Sequence, residues 1–221
     1  MSESSTTRPS PETDKRDRYG RPLNDQGFAA LDKQGVENAV HDFLFAIGED
    51  PEREGLKGTP ERVARATQEL MSGMYEVPQA HLERQFDEED DGLVVVRDIP
   101  FTSFCEHHIL PFVGAASIVY LPRGGKIVGL SKMGRLVEGY AHRLQVQERL
   151  THQIADAVME ELNPQGVLVV LRATHSCMVL RGIKSTGSTT VTSAVKGCLA
   201  KDPDLRQQAL LLISLPKNHA I

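Results

Sequence analysis

Two short clusters of thiol and imidazole side chains, far apart in the chain, are the segments of this sequence best suited to chemistry. The clusters are Cys105-Glu106-His107-His108 and His175-Ser176-Cys177. Thiolate and imidazole groups are preferred ligands of a borderline-soft divalent ion such as zinc, and three protein ligands leave the fourth tetrahedral position free for water. The two clusters together therefore predict a catalytic metal centre rather than a structural one.

The spacing within the first cluster indicates which of its side chains bind the ion. If residues 105–108 form a turn, the side chains of Cys105 and His108, three positions apart, point the same way. The side chain of His107 then points elsewhere. We therefore expect Cys105 and His108 to be ligands and His107 to remain free of the metal.

The second cluster follows an apolar run, residues 166–171, which has the pattern of a buried strand. Alternate residues of a strand share a face, so a strand that continues past this run turns His175 and Cys177 towards one site. Arg181, at an even offset from both, falls on the same face. The combined prediction is a Cys/His/Cys ligand set with two unligated histidines beside it. The three predicted ligands are Cys105, His108 and Cys177.

Each cluster also has a plainer interpretation. A free cysteine is often a small buried hydrophobic residue, and an isolated histidine is more often hydrogen-bonded or exposed than bound to a metal. A disulfide between Cys105 and Cys177 is a further alternative, but residues 1–20 are hydrophilic and lack the apolar segment of a signal peptide. We therefore expect a cytoplasmic protein with reduced thiols and no membrane partner, which favours metal binding over cross-linking.

Composition limits the possible classes of protein. The chain has 221 residues, of which 40% are hydrophobic and 25% charged, enough for one good core and a small N-terminal appendage. Its formal net charge is -5, whereas general nucleic-acid binders usually carry a basic excess. We therefore expect no nucleic-acid partner.

The chain has three recognisable parts. Residues 1–27 are rich in Ser, Thr, Pro and charged side chains and are expected to form a disordered tail. Residues 28–92 contain two helical patterns and an acidic loop at residues 87–91. Residues 93–221 carry both clusters and are expected to form the catalytic domain.

The order of helices and strands indicates the class of fold. Helical spacing predicts two early helices and two consecutive helices between the clusters, one ending near His142 and the next opening at Gln145. The remaining predicted elements are the strands at 93–99, 112–121, 126–130 and 166–171 and a closing helix at 205–213. Strands and helices segregate rather than alternate, which favours an α+β fold with a largely antiparallel sheet.

Three cations lie near the clusters in the sequence: Lys132, Arg135 and Arg181. Any one of them alone is most simply a surface charge, but a metal site flanked by lysine and arginine suits a phosphorylated, polyanionic substrate. The sequence has no P-loop, because Gly125-Lys126 lacks both the upstream glycine and the following Ser or Thr. Any nucleotide is therefore expected to be held by side chains.

Four segments of the chain resemble the successive motifs of the GTP cyclohydrolase I family. They are Cys105-Glu106-His107-His108, Gly129-Leu130-Ser131-Lys132, Gln145-Val146-Gln147-Glu148-Arg149-Leu150 and His175-x-Cys177-x-x-x-Arg181-Gly182. The resemblance extends over about residues 35–213 in the same order. It implies the tunnelling fold, an antiparallel sheet with two helices on one face, preceded by an N-terminal helical segment. It also implies a toroidal homodecamer with active sites at subunit junctions.

The chemistry implied by this resemblance is the zinc-dependent opening of the guanine ring of GTP, the first step of folate and tetrahydropterin biosynthesis. Water adds at C8, formate leaves, and rearrangement gives 7,8-dihydroneopterin triphosphate. His107 resembles the general acid that protonates N7, and His175 resembles a second catalytic histidine. Ser131 and Gln147 resemble the residues that act on the ribose side.

The resemblance also assigns substrate recognition. Glu148 can accept two hydrogen bonds from the N1-H and the 2-amino group of guanine, a pair that adenine does not offer. Lys132, Arg135 and Arg181 match the triphosphate-binding positions, and Arg62, after Thr59-Pro60-Glu61, is added to them. Without the resemblance, a charge network on a helix surface and a helix-start carboxylate would explain these residues as well.

Two other functions stay open at this stage. One is a different tunnelling-fold pterin enzyme, or a diverged relative that acts on a related purine. The other is a non-catalytic interaction module in which zinc only holds two segments together. Comparing the turnover of GTP with that of other nucleotides distinguishes the first alternative from a GTP-opening enzyme. Variants of the unligated histidines, His107 and His175, distinguish the non-catalytic module from an enzyme.

Overall fold

The computed structural model describes residues 23, 27–88 and 92–216. The chain falls into two compact units, Met1–Gln68 and Glu69–Ile221. The predicted disordered tail lies outside the described residues except for positions 23 and 27, and so do residues 89–91 of the predicted acidic loop. No helix in the described part of the chain is long and apolar enough to cross a membrane.

The two helices predicted early in the chain are present. Helix α1 spans Lys33–Ala46, and its preceding residue Asp32 caps it by accepting a hydrogen bond of 2.8 Å from the backbone N–H of Gly35. Helix α2 spans Thr59–Leu70 and has a proline at its second position, where the missing N–H costs nothing. The predicted N-terminal helical segment is therefore confirmed.

A five-stranded sheet organises the second unit. The strands of this unit are β1 (Gln85–Asp87), β2 (Val94–Cys105), β3 (Leu110–Leu121), β4 (Lys126–Val128), β5 (Leu144–Gln145), β6 (Gly166–His175) and β7 (Thr190–Gly197). The sheet order is β5-β2-β3-β6-β7, with antiparallel pairing except between β2 and β5, while β1 and β4 form a separate antiparallel pair. The predicted α+β class with a largely antiparallel sheet is confirmed.

Two helices cover one face of this sheet. They are α3 (Leu130–Ala141) and α4 (Gln147–Leu162), which follow each other with only the short β5 between them. Alternate residues of β3 and β6 point towards these helices. Among them, Phe112, Ile118 and Leu171 are completely buried. The core therefore lies between the sheet and this helical pair, as in the tunnelling fold that the motifs implied.

The closing helices pack on the opposite face. Helices α6 (Cys198–Lys201) and α7 (Pro203–Ser214) contribute Leu199 and Ala209 to a second apolar cluster with Val119 and Leu168. These two strand residues alternate with those that face α3 and α4. Strands β3 and β6 are therefore buried on both faces at this end, which explains their nearly continuous apolar sequences.

Strand β2 is longer than its sequence pattern predicted. The expected strand ended at residue 99, but the observed one continues to Cys105 after an irregularity in register between Val96 and Ile99. Asp98, within the irregularity, has a left-handed φ of 59°. The polar residues of this bulge and Pro100 concealed the continuation of the strand, which carries the chain to the first metal-ligand candidate.

We expect Gly114→Ala to destabilise the fold, because a Cβ at residue 114 would lie 2.1 Å from the carbonyl oxygen of Arg172 on β6. Overpacking of this kind costs about 1–3 kcal/mol of unfolding free energy. Gly134→Ala in α3 is the matched control, since nothing lies within 4 Å of the added Cβ and alanine stabilises a helix interior by about 1 kcal/mol. Denaturation midpoints at equal protein concentration measure both changes, and equal midpoints would contradict the packing described for β3 and β6.

Candidate metal centre and substrate site

The first cluster lies in the tight turn between β2 and β3. Cys105 ends β2, and its carbonyl oxygen accepts backbone hydrogen bonds from His108 at 3.3 Å and Ile109 at 2.8 Å. Ile109 adopts a left-handed φ of 54°, which reverses the chain into β3. The predicted turn at residues 105–108 is present, with the Cys105 side chain buried and both histidines exposed.

The second cluster is built differently from the prediction. Strand β6 ends at His175, and residues Ser176–Val179 form one helical turn, α5. The expectation that a continuing strand would align His175, Cys177 and Arg181 on one face is therefore wrong. Arg181 lies beyond this helical turn, and it still reaches the first cluster, where its Nη1 is 2.9 Å from Nε2 of His108.

The three predicted ligands converge. One ligand atom each from Cys105, His108 and Cys177 lies within 4.8 Å of the other two, and we call this group the metal cluster. Two sulfurs and one imidazole nitrogen match the donor set of a catalytic zinc site with an open fourth position. Burial, together with the neighbouring Cys105, raises the pKa of the Cys177 thiol, so a metal must displace a proton on binding.

Two further side chains that were predicted to function lie against the metal cluster. His107 places Nδ1 3.7 Å from the sulfur of Cys105. Arg181 places Nη1 2.9 Å from Nε2 of His108. The exposed side of the cluster is therefore lined by an imidazole and a guanidinium group, which can donate hydrogen bonds to an anionic ligand.

His175 occupies a more enclosed position. Its ring stacks on Phe112 with centroids 4.4 Å apart and planes 5° from parallel, and its Nε2 lies 2.8 Å from Oε1 of Gln147. Burial lowers the pKa of His175, and the nearby carboxylate of Glu148 partly opposes this effect. The ring is therefore favoured in its uncharged form at neutral pH.

The start of α4 supplies two of the predicted site residues. Gln147 is the first residue of α4 and is almost completely buried, whereas Glu148 is exposed in the first helical turn. A carboxylate in this position is stabilised by the helix dipole. The structure thus brings Gln147 and Glu148 to His175, which lies two residues before Cys177.

An ion pair that the sequence analysis did not assign connects α4 to the metal-ligand turn. The guanidinium of Arg149 donates to the carboxylate of Glu106, to Oε1 of Gln145 at 2.9 Å and to the carbonyl oxygen of Leu144 at 3.1 Å. The hydrogen bond from Arg149 lowers the pKa of the Glu106 carboxyl group. Both residues stand inside the motifs already quoted, and their opposite charges were the available signal.

The remaining predicted residues lie on α3 and in the first unit. Ser131 and Arg135 are exposed and Lys132 is half-buried, all in the first two turns of α3. Arg62 belongs to α2 in the first unit, where its guanidinium donates to Oγ1 of Thr59 at 3.0 Å. Of the predicted phosphate-binding residues, the geometry thus groups only Arg181 directly with the metal cluster.

An α+β sheet protein with a Cys/His/Cys cluster that could hold a metal, beside a second histidine and an arginine, has the features of a metal-dependent enzyme. Comparison with known proteins defines the class further. Residues 36–214 match the model of the GTP cyclohydrolase I family, and this chain belongs to that family. The matched region contains every site residue predicted above.

Individual relatives agree with this membership. The chain is 57% identical over 183 residues to GTP cyclohydrolase 1 of Carboxydothermus hydrogenoformans, covering 83% of this chain and 95% of the relative. It is 53% identical over 186 residues to GTP cyclohydrolase 1 of Clostridioides difficile, covering 84% and 98%. A crystal structure of apo archaeosine synthase QueF-Like aligns with 50% of this chain and 97% of its own at 20% identity, but its TM-score of 0.41 is too low to support an argument.

We expect Cys177→Ser to abolish stoichiometric zinc binding, because the serine hydroxyl replaces one of two thiolate donors. Zinc affinity should fall by more than about a hundredfold, since outer partners of metal ligands alone contribute tenfold to hundredfold. Cys198→Ser is the matched control: this cysteine is also free, but it packs in the second apolar cluster. Metal analysis after dialysis measures both variants. Full zinc retention by Cys177→Ser would exclude the metal cluster as the binding site.

Proposed function

We propose that this protein catalyses the zinc-dependent hydrolytic opening of GTP at guanine C8, with release of formate and rearrangement to 7,8-dihydroneopterin triphosphate, the first step of folate or tetrahydropterin biosynthesis. The observation that carries the proposal is the convergence of the metal cluster beside His107 and Arg181. Membership of the GTP cyclohydrolase I family supports the choice of GTP as substrate.

In this proposal the metal cluster holds zinc through Cys105, His108 and Cys177. The ion supplies the Lewis acidity that makes water a nucleophile near neutral pH. The buried sulfur of Cys105 and the exposed ring of His108 support a site that is anchored in the protein on one side and open to substrate on the other. The three cysteines are free, which supports a reducing compartment such as the cytoplasm.

Two histidines move protons in the proposed reaction. Addition of water at C8 builds negative charge on the imidazole part of guanine, and a proton delivered to N7 neutralises it. We assign this delivery to His107, because its ring is exposed and lies against the sulfur of Cys105. His175, which burial favours in the uncharged form, is assigned as the group that accepts and returns protons around the same atoms.

Glu148 is the proposed guanine-recognition residue. Its carboxylate is exposed at the start of α4 and close enough to His175 to affect the pKa of that ring. A carboxylate only accepts hydrogen bonds, and the N1-H and 2-amino group of guanine supply two adjacent donors. Adenine has a lone pair at N1 and would leave this carboxylate unsatisfied, so discrimination against ATP follows from hydrogen-bond chemistry.

The triphosphate is assigned to the cations. Arg181, beside His108, has the planar fork that matches phosphate oxygens in pairs. Lys132 and Arg135 on α3 are assigned to the same role, and Arg62 remains a proposed addition. Ser131, exposed one residue before Lys132, is proposed to act on the ribose during the rearrangement.

The homodecamer implied by the motif resemblance is also part of the proposal. Strand β7 lies at one end of the five-stranded sheet, where its outer edge is available for pairing with another copy. Apolar side chains of the same region are exposed, which supports burial against other subunits: Val191, Leu211 and Leu215. Sites at subunit junctions would then combine residues from more than one chain.

We expect His107→Ala and His175→Ala each to lower the rate of formate release from GTP by at least about a hundredfold, because each removes a proton-transfer group. Both variants should retain stoichiometric zinc, since neither residue is a proposed ligand. His152→Ala, an exposed residue of α4, is the control. Formate release and the absorbance and fluorescence of the pterin product measure the rate. Normal turnover by both variants would refute the catalytic assignment and favour a structural zinc module.

We expect Glu148→Gln to lower kcat/KM for GTP by about tenfold to a hundredfold, the range expected for hydrogen bonds to a charged group. The ratio of GTP to ATP turnover should fall with it, because the amide turns one acceptor into a donor. Glu160→Gln, exposed further along the same helix, should leave both values unchanged. An unaltered nucleotide preference in Glu148→Gln would show that guanine is recognised elsewhere.

A further inference from the structure

The side-chain amide of Gln147 is enclosed by the protein. It is 1% exposed, and its nitrogen Nε2 lies within hydrogen-bonding distance of three acceptors that share its two hydrogens: the carbonyl oxygens of Leu171 at 3.2 Å and Thr190 at 3.1 Å and Oγ1 of Thr192 at 3.1 Å. Its oxygen Oε1 faces Nε2 of His175 at 2.8 Å. Both ends of the amide are therefore engaged by neighbouring parts of the same chain.

These neighbours fix the orientation of the amide. A backbone carbonyl oxygen can only accept a hydrogen bond, so the nitrogen of Gln147 must face Leu171 and Thr190. The reversed amide would place Oε1 against two carbonyl oxygens in a buried site, where unsatisfied acceptors are strongly unfavourable. The atom that faces His175 is consequently the amide oxygen.

The amide oxygen in turn fixes the state of the histidine ring. An amide oxygen only accepts, so the hydrogen bond to His175 requires a hydrogen on Nε2. In the uncharged ring the other nitrogen, Nδ1, then carries the lone pair. Stacking on Phe112 holds the plane of the ring while this bond is made.

Two threonines strengthen the same network. Oγ1 of Thr151 donates to the backbone carbonyl oxygen of Gln147 at 2.7 Å and lies 2.6 Å from Oγ1 of Thr192. Each hydroxyl has a single hydrogen, so Thr192 donates to Thr151 and accepts from the amide of Gln147. The direction of the hydrogen bond between the two threonine hydroxyls is thereby determined.

We propose that Gln147 is a positioning residue, supported by Thr192 and Thr151, that fixes the orientation of the His175 ring and holds it in the Nε2-H form, which leaves the lone pair of the uncharged ring on Nδ1. Gln147 thus acts through His175 rather than by contact with the ribose. The effect of this ring orientation on turnover rests on the proposed function, whereas the orientation itself does not.

Solid-state NMR of zinc-loaded, sedimented protein labelled with 15N-histidine reads the state of the ring directly. The signals of His175 are identified by subtracting the spectrum of His175→Gln, in a solution alkaline enough for the ring to be uncharged. The expected result is a protonated Nε2 and an unprotonated Nδ1. A protonated Nδ1 in the unmodified protein would overturn the proposal without any need for a variant to fold.

Gln147→Met then tests the effect on the reaction. Methionine has a similar side-chain volume but lacks the amide oxygen and nitrogen, so the His175 ring should show a mixture of its two uncharged forms. The value of kcat should fall about tenfold to a hundredfold, with little change in KM for GTP. Gln85→Met is the matched control, because it deletes a part-buried amide that donates to the carbonyl oxygen of Glu161 at 2.8 Å. A raised KM with an unchanged ring form would instead assign Gln147 to the ribose.

The two proposals fail in distinguishable ways. If the protein does not turn over GTP but the ring carries its hydrogen on Nε2, the proposed function fails and the assignment of the ring stands. If GTP is converted normally while the ring carries its hydrogen on Nδ1, the positioning role of Gln147 fails alone. Thr192→Val gives a milder check, because it leaves the two carbonyl acceptors in place: the Nε2-H form should persist, and its loss would contradict the orientation argument.

Discussion

The register of the antiparallel pairing between β3 and β6 is the constraint on which the rest of the site depends. Phe112 lies opposite His175 in this register, and the stacked rings place His175 over the core. The same pairing brings the β2–β3 turn, with Cys105 and His108, beside the end of β6, where Cys177 lies in the helical turn α5. Because strand side chains alternate between faces, a slip of one residue would turn His175 away from α4 and separate the ligands. The apolar core that enforces the register therefore also assembles the metal cluster.

Polar contacts fix the side-chain orientations that the strand register leaves undetermined. The burial of each contact determines how strongly it stabilises the site. The Glu106–Arg149 ion pair ties the metal-ligand turn to α4, but both side chains are partly exposed, and pairs of this kind contribute about 0–1 kcal/mol. The amide of Gln147 is buried and fully hydrogen-bonded, so any rearrangement would leave buried groups without partners. The enclosed side of the site is thus specified more strictly than the turn that carries the ligands. This difference suits a centre in which the ligands must admit an ion while the histidine ring keeps one orientation.

Local spacing was sufficient to predict the turn at residues 105–108 and the α+β class, because each depends on neighbours in sequence, whereas the three residues of the metal cluster were indicated by their thiol and imidazole side chains. It was insufficient where distant contacts decide the local structure. The helical turn at Ser176–Val179 ends the strand that alternation alone would extend, so the strand pattern did not predict how Arg181 reaches the metal cluster. The bulge at Asp98 concealed half of β2 for the same reason, since its register is set by pairing with β3. The carbonyl acceptors of the Gln147 amide nitrogen, Leu171 and Thr190, lie on β6 and β7, outside all four motifs.

The contrast between buried and exposed residues also explains how one site can suit a substrate with two dissimilar ends. A purine ring that reacts at a single carbon must be placed to within about an ångström of the reacting groups, and the groups proposed to act on it belong to strands, a helix start and a tight turn whose backbones are hydrogen-bonded. A triphosphate is long, flexible and strongly charged, so exposed side chains with freedom to move can follow it. Arg181 and Arg135, two exposed members of the proposed triphosphate-binding set, suit this role. The proposed reaction changes the ring and leaves the phosphates intact. Rigid side chains can therefore hold the ring in place for each step, while mobile cations keep the triphosphate bound as the geometry of the intermediates changes.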